Sequence, residues 1–312
     1  MSRTAAERPE PHASDAIERE QVRLARWLTT PALLFILFGS LVPVAVTGWE
    51  ALHGHDLRLP WLGRPFVGLA NFVEASQDPR FTAALLHTVG FAAITVPLEL
   101  AFGLALALIM HTAARGRAVI RLAALLPWAI PTVVAALVWR FIFDAQAGIV
   151  TASLRNLGLV GESFDWLVHP LAAWVPIGAA DIWKTTPFVA VLLLAGLQTI
   201  DPAHHEAARM DGAGAVRRFV TITLPLLRPA LVVAAAFRML DALRLFDVVY
   251  VLTGGGPGTA TEPLSLYAFI ALTQRLRFGY GSAISITVFL LTFAFALVWV
   301  RALGRPLLGA RP

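Results

Sequence analysis

Ionisable side chains stand inside stretches of this chain that are otherwise apolar, and they are the residues that could do chemistry. Glu99 lies two residues after Pro97. Asp181-Ile182-Trp183-Lys184-Thr185-Thr186-Pro187-Phe188 forms a polar step in a third-quarter apolar run, and Arg238, Asp241, Arg244 and Asp247 alternate in sign three residues apart. A charge within an apolar span is costly, so it marks either a path for a polar solute or an internal ion pair. For the 238–247 series both readings stand. Neighbours at i, i+3 can neutralise one another along a helix, or the same groups can line a path and exchange partners. For Lys184 the readings are a sugar contact and a structural pair with Asp241 or Glu99. The sugar reading rests on a helix kinked at Pro187, with Thr185 and Thr186 bonding the freed carbonyls and Trp183 offering a face for a sugar ring.

Catalysis is not indicated. Lys184 is the only lysine, so no Gly-rich phosphate loop ending in Lys exists in the chain. There is no cysteine, hence no disulfide framework and no thiolate metal site. The histidines are scattered, with His53 and His55 in one loop and His204-His205 in another. Adjacent histidines do not share a helix face, and no metal site is expected. No nucleophile elbow is present.

A second polar region, about residues 200–225, has a different character. Asp201-Pro202 is a helix start, an Asp cap followed by Pro in the first turn. The helix is expected from about Pro202 to Met210, with Gly212 permitting the left-handed backbone that stops it. A second short helix carries Arg217, Arg218 and Phe219 toward Leu224-Pro225, where an apolar segment resumes. Small residues Ala207 and Ala208 allow close approach, so this helix–Gly–helix element reads either as a docking surface or as an ordinary interfacial hairpin.

The elements that position these residues follow from composition. Of 312 residues 57% are hydrophobic and 14% charged, with mean hydropathy +0.70. This is the composition of an all-α polytopic membrane protein. Six apolar stretches are long enough to cross a bilayer: about 27–49, 84–110, 120–143, 170–197, 229–252 and 282–300. Residues 1–26 read as a polar tail ending in a surface helix near 16–26, and 27–312 as the transmembrane domain, with its core at about 84–300. The net charge of +5 is almost all arginine and forms no stripe, which argues against nucleic acid as a partner. Arg115, Arg117 and Arg121 flank one set of loops with Arg209, Arg217, Arg218 and Arg228, together with both termini. The positive-inside rule puts that set, and the 200–225 loop, in the cytoplasm. The opposite loops read as poor in chemistry: a short interfacial helix before span two, and a flexible Gly-rich turn, Thr253 to Gly258, after span five.

The run Glu206-Ala207-Ala208, Asp211-Gly212-Ala213, Phe219, Ile222, Leu224-Pro225 and Pro229 resembles the coupling-loop signature of inner-membrane permease subunits of binding-protein-dependent ABC importers. Trp183–Phe188 and Asp241–Asp247 through Tyr250–Gly255 resemble the carbohydrate-uptake branch, most closely permeases for trehalose or maltose. Permeases for glycerol phosphodiesters or glycerol 3-phosphate share much of that pattern, and Arg238 or Arg244 could meet a phosphate. The resemblance implies a type I importer permease fold in a bacterial or archaeal inner membrane. It also implies a second permease subunit, an ATPase pair holding ATP and Mg, and an external substrate-binding protein. This chain then needs no cofactor of its own. A stand-alone secondary transporter is the contrasting reading, and it would not need the Glu206 motif.

Overall fold

A computed structural model describes residues 13–112 and 116–308. The first twelve residues of the expected tail, and Arg115 of the orientation argument, lie outside the described residues. The chain divides into two units, one ending at Trp49 and the other beginning at Glu50.

The first unit is the greater part of one helix, α1 (Ala13–Ala51), which runs through Pro31 and Pro43. The expected surface helix continues into the expected first span without a break. Hydroxyls stay within the helix: Thr47 Oγ1 donates to the Pro43 carbonyl at 2.8 Å, which satisfies a polar group without a partner from outside.

In the second unit a one-turn 3₁₀ segment (Pro60–Leu62) and α2 (Ala70–Gln77) precede the long helix α3 (Pro79–Thr112). Then come α4 (Arg117–Ala129), α5 (Thr132–Ile142), α6 (Ile149–Asn156) and α7 (Trp174–Gln198). The loop helices α8 (Pro202–Met210) and α9 (Ala215–Arg218) lead through a π-helical turn (Phe219–Thr223) into α10 (Leu224–Ala242). The chain closes with α11 (Asp247–Leu252), α12 (Leu264–Thr273) and α13 (Phe278–Leu308). Five helices are long and apolar enough to span a membrane, and a sixth span results if α4 and α5 are counted together.

Two expected spans are broken, each for a local reason. In the third, α4 and α5 meet at 91°. Pro131 forces Ile130 to extended backbone (φ −73°, ψ 133°), because the proline ring clashes with a helical residue before it. In the fifth, the helix ends at Ala242 rather than near 252, and Leu243–Phe246 separates it from the short α11. The charge ladder therefore does not exist as a helical series. Only Arg238 and Asp241 share α10.

Helix packing in lipid depends on close approach of small residues, because lipid is as apolar as the side chains. α3 crosses α7 at Gly103, where an added Cβ would lie 2.4 Å from Val189 Cγ1. α7 meets α10 at Gly196, where the same atom would lie 2.6 Å from Ala230 Cβ. Met110, Leu193, Leu197 and Leu227 fill the space beside these contacts and are buried.

Candidate translocation cavity and coupling loop

The α4–α5 break, α7 and the α10–α11 break face a polar cavity of about 180 Å³. Lys184, Thr185, Arg238, Asp241, Arg244 and Asp247 all line it, as do Trp128, Asp181 and Phe246. The structure thus gathers most of the intramembrane charges noted in the sequence. It keeps two aside. Glu99 is fully buried behind the cavity. Trp183 packs edge-on against Trp139 with ring centroids 5.8 Å apart, and the aromatic walls are supplied by Trp128 and Phe246 instead.

Arg238 holds the cavity floor together. Its Nε donates to Glu99 Oε2 at 2.5 Å and its Nη2 to Glu99 Oε1 at 2.8 Å. Nη2 also reaches Asp181 Oδ2 at 3.1 Å, and Nη1 donates to Asp241 Oδ2. One planar guanidinium thereby joins carboxylates from α3, α7 and α10, a task its fork of donors suits and a lysine could not perform. With Arg238 at 2% exposure and Glu99 at 0%, the pair satisfies charges that water cannot reach.

Lys184 has neither partner expected for it. Its Nζ donates to Ile130 O at 3.0 Å and Trp128 O at 3.4 Å, the carbonyls left open where Pro131 stops α4. A cation at the carbonyl end of a helix also meets the negative end of its dipole. Thr185 Oγ1 donates to Asp181 O at 2.7 Å, not to a carbonyl freed by Pro187, and Thr186 Oγ1 has no hydrogen bond among the described residues. Arg244 and Asp247 remain. Arg244 Nε donates to Leu240 O at 3.2 Å, Asp247 opens α11, and neither forms an ion pair among the described residues.

The loop helix α8 is built as its sequence suggests. Asp201 Oδ1 accepts from Ala203 N at 2.9 Å, and Pro202 fills the first turn. At the other end Gly212 takes φ +77°. Its N–H donates to Arg209 O at 3.0 Å, and Ala213 N–H to Ala208 O at 2.9 Å. This double bond pattern around a left-handed glycine closes off the last carbonyls. No residue of α8 is buried. Met210 is 89% and Val216 78% exposed, while Glu206, Ala207 and Asp211 are also open to solvent.

Comparison with known proteins decides what carries such a loop. Residues 99–307 match the family of binding-protein-dependent transport system inner membrane components. The chain belongs to this family. It is therefore a permease subunit of an ABC importer, a transport component and not an enzyme, of the inner membrane. The permease is 41% identical over 285 residues to the trehalose/maltose transport system permease protein MalF of Thermococcus litoralis, covering 91% of this chain and 95% of the relative. It is 39% identical over 278 residues to the sulfoquinovosyl glycerol transport system permease protein SmoG of Agrobacterium fabrum, covering 89% of each. Its fold matches a chain of a bacterial ABC transporter that imports the acidic polysaccharide alginate (TM-score 0.76, 22% identity, 94% of this chain and 98% of that one). The expected type I permease fold and the likeness to carbohydrate permeases are thereby borne out.

The permease also contains a polar region that sequence reasoning missed, at the end of the second unit away from α8. Arg80 donates to Glu262 through Nε at 2.9 Å and Nη2 at 3.0 Å. His87 Nδ1 lies 3.0 Å from Glu262 O, and Leu264 N–H donates to Thr88 Oγ1 at 2.8 Å. Burial pushes the Glu262 carboxyl up, against the pull of Arg80. Tyr267 and Tyr280 both donate to Asp78 Oδ2, Tyr280 at 2.8 Å. Burial of Asp78 is outweighed by these hydroxyls and the Arg80 amide, so its carboxyl sits below the ordinary range. At the rim, the Arg58 hydrogen bond holds Asp56 down to about 2. The Gly-rich turn is likewise not loose: Thr261 Oγ1 donates to Gly256 O at 2.7 Å and lies 2.8 Å from Thr253 Oγ1. The loops expected to be poor in chemistry hold α3, α12 and α13 in register. The available signal was Glu262-Pro263, an acid and a proline placed directly before an apolar helix.

Proposed function

We propose that this permease moves a sugar from an external binding protein into the cytoplasm by alternating access, driven by an ATPase pair that docks on α8. A second permease subunit completes the path, and ATP and Mg reside on the ATPase. Glu206 and Asp211 offer charges to the ATPase cleft, Ala207, Ala208 and Ala213 allow its walls to approach, and Met210 is the apolar anchor. Leu224-Pro225 passes the motion into α10. Both termini are cytoplasmic in this reading, as the arginine distribution favours. The observation that carries this reading is the pairing of a capped α8, none of whose residues is buried, with a polar cavity at the far end of the helical run that follows it.

In the cavity, Arg244 and Asp247 are free to meet sugar hydroxyls, with Trp128 and Phe246 as apolar faces and Asp181, Lys184, Thr185, Arg238 and Asp241 fixing the shape. Trehalose or maltose is the substrate favoured by the name of the Thermococcus litoralis relative. An anionic glycoside is the second reading, favoured by the unpaired Arg244 and by the name of the Agrobacterium fabrum relative. A glycerol phosphodiester would use the same guanidinium.

Co-purification tests the assembly. The tagged chain, expressed with its host's transport genes, is expected to bring down an ATPase and a second permease. Met210→Ala should lower ATPase recovery with no change in the second permease. Undiminished ATPase recovery would overturn the docking assignment. Uptake then separates the substrates: Arg244→Gln should abolish uptake of an anionic glycoside and only weaken that of a neutral disaccharide.

A further inference from the structure

Between the α8-side ends of α3 and α7 and the loop helices α8 and α9 lies a larger cavity, of about 650 Å³, that the transport path does not use. Its inner wall is apolar, with Leu197 among its residues. Its polar lining is mostly basic: Arg209, Arg218, His111 and His205 against a single carboxylate, Glu206. Arg218 uses one nitrogen, Nη1, on Ala213 O at 2.8 Å, and its other nitrogens have no hydrogen bond among the described residues. Arg209 makes no side-chain hydrogen bond or ion pair among them. At the helix ends that would oppose an anion, a threonine hydroxyl occupies one carbonyl each. Thr112 Oγ1 donates to Leu108 O at 2.9 Å at the end of α3, and Thr199 Oγ1 to Gly196 O at 2.8 Å at the end of α7.

We infer that this cavity binds a phosphate-bearing anion, held by Arg209 and Arg218 with His111 and His205 completing its polar wall. Guanidinium pairs match phosphate oxygens in shape as well as charge. Basic pockets between helix ends at a membrane surface accept lipid headgroups, and an apolar inner wall would suit the start of an acyl chain. A soluble phosphate ester offers the same recognition without the chain. Either occupant touches α8 from a face that leaves Met210 exposed, so it would set the docking helix without competing for its anchor.

The test uses the full chain, delipidated in a neutral detergent, with the unfolding midpoint followed against added ligand. Phosphatidylglycerol or inorganic phosphate is expected to raise the midpoint, and phosphatidylcholine to leave it unchanged. In Arg218→Gln/His111→Gln the half-saturating concentration should rise about tenfold, the loss of one charge-assisted hydrogen bond. A response to phosphatidylglycerol alone assigns the lipid headgroup, and a response to phosphate as well assigns a soluble ligand. Arg209→Gln serves if the double variant does not accumulate. Arg228→Gln, outside the lining, is the control for general charge. No midpoint rise with either anion overturns the inference, and so does a rise equal in wild type and cavity variants, or one weakened as much by Arg228→Gln.

Discussion

Arg238 and α8 lie on one stretch of chain and are built to opposite ends. Around Arg238 stand three carboxylates of the same chain, with Glu99 and Asp181 buried and Asp241 at the open edge of the cavity. On α8 the hydrogen bonds go only to its own backbone, and the largest apolar side chain, Met210, points into water. The first arrangement is complete within the chain. The second is a self-capped helix whose apolar surface no described residue covers. Mutation is therefore expected to act mainly on stability around Arg238 and, on the proposed reading, mainly on transport at α8.

The largest expected effect is at the complete site. Arg238→Met should cost about 3–5 kcal/mol, because Glu99 is left charged and buried. Thermal unfolding in detergent measures it, and Arg238→Met/Glu99→Gln should recover much of the loss. A double variant no better than the single one would mean that the guanidinium matters for packing instead of charge. Gly103→Leu follows at about 1–3 kcal/mol, since the new side chain must displace Val189 from the α3–α7 contact. Asp201→Ala removes one cap and should cost about 1 kcal/mol in the same assay. Gly212→Asp should cost about 1 kcal/mol, the strain of a left-handed non-glycine residue, yet abolish uptake driven by ATP while insertion is normal. Normal uptake by that variant would break the contrast, because α8 would then be an ordinary hairpin. Asp56→Asn, at an exposed pair with Arg58, should change stability by at most about 1 kcal/mol.

What the sequence made legible divides along the same line. α8 could be read almost atom by atom, because Asp201, Pro202 and Gly212 act on backbone within a few residues of themselves. The helical spans were legible for a similar reason, as apolar length is a local property. The Arg238 cluster was not. The i, i+3 arithmetic assumed a helix through Asp247, but α10 stops at Ala242, and two of the three carboxylates come from residues 139 and 57 positions away. The structural pair expected for Lys184 was wrong because its partners are backbone carbonyls, which carry no residue-type signal. Those carbonyls are exposed by Ile130-Pro131, and that breaker was visible in the sequence. The Arg80–Glu262 contact spans 182 positions, beyond any periodicity argument.

From Ala215 to Ala242 the chain is one helical run of 28 residues, about 42 Å long at the usual rise. It starts beside Gly214, just past the loop helix, and carries Arg238 near its far end. Seen as a machine part, this run is a connecting rod with a bearing at each end. Its lower end joins the exposed loop, and its upper end is clamped by Glu99 and Asp181 from two other helices. A displacement delivered at the bottom meets two weak places in the backbone, the π-helical turn and Pro229, before it reaches the clamp. The grip on the loop and the grip on Arg238 are then opposing loads on one shaft, so loosening the upper clamp and tightening the lower one should change the timing of the cycle in the same direction.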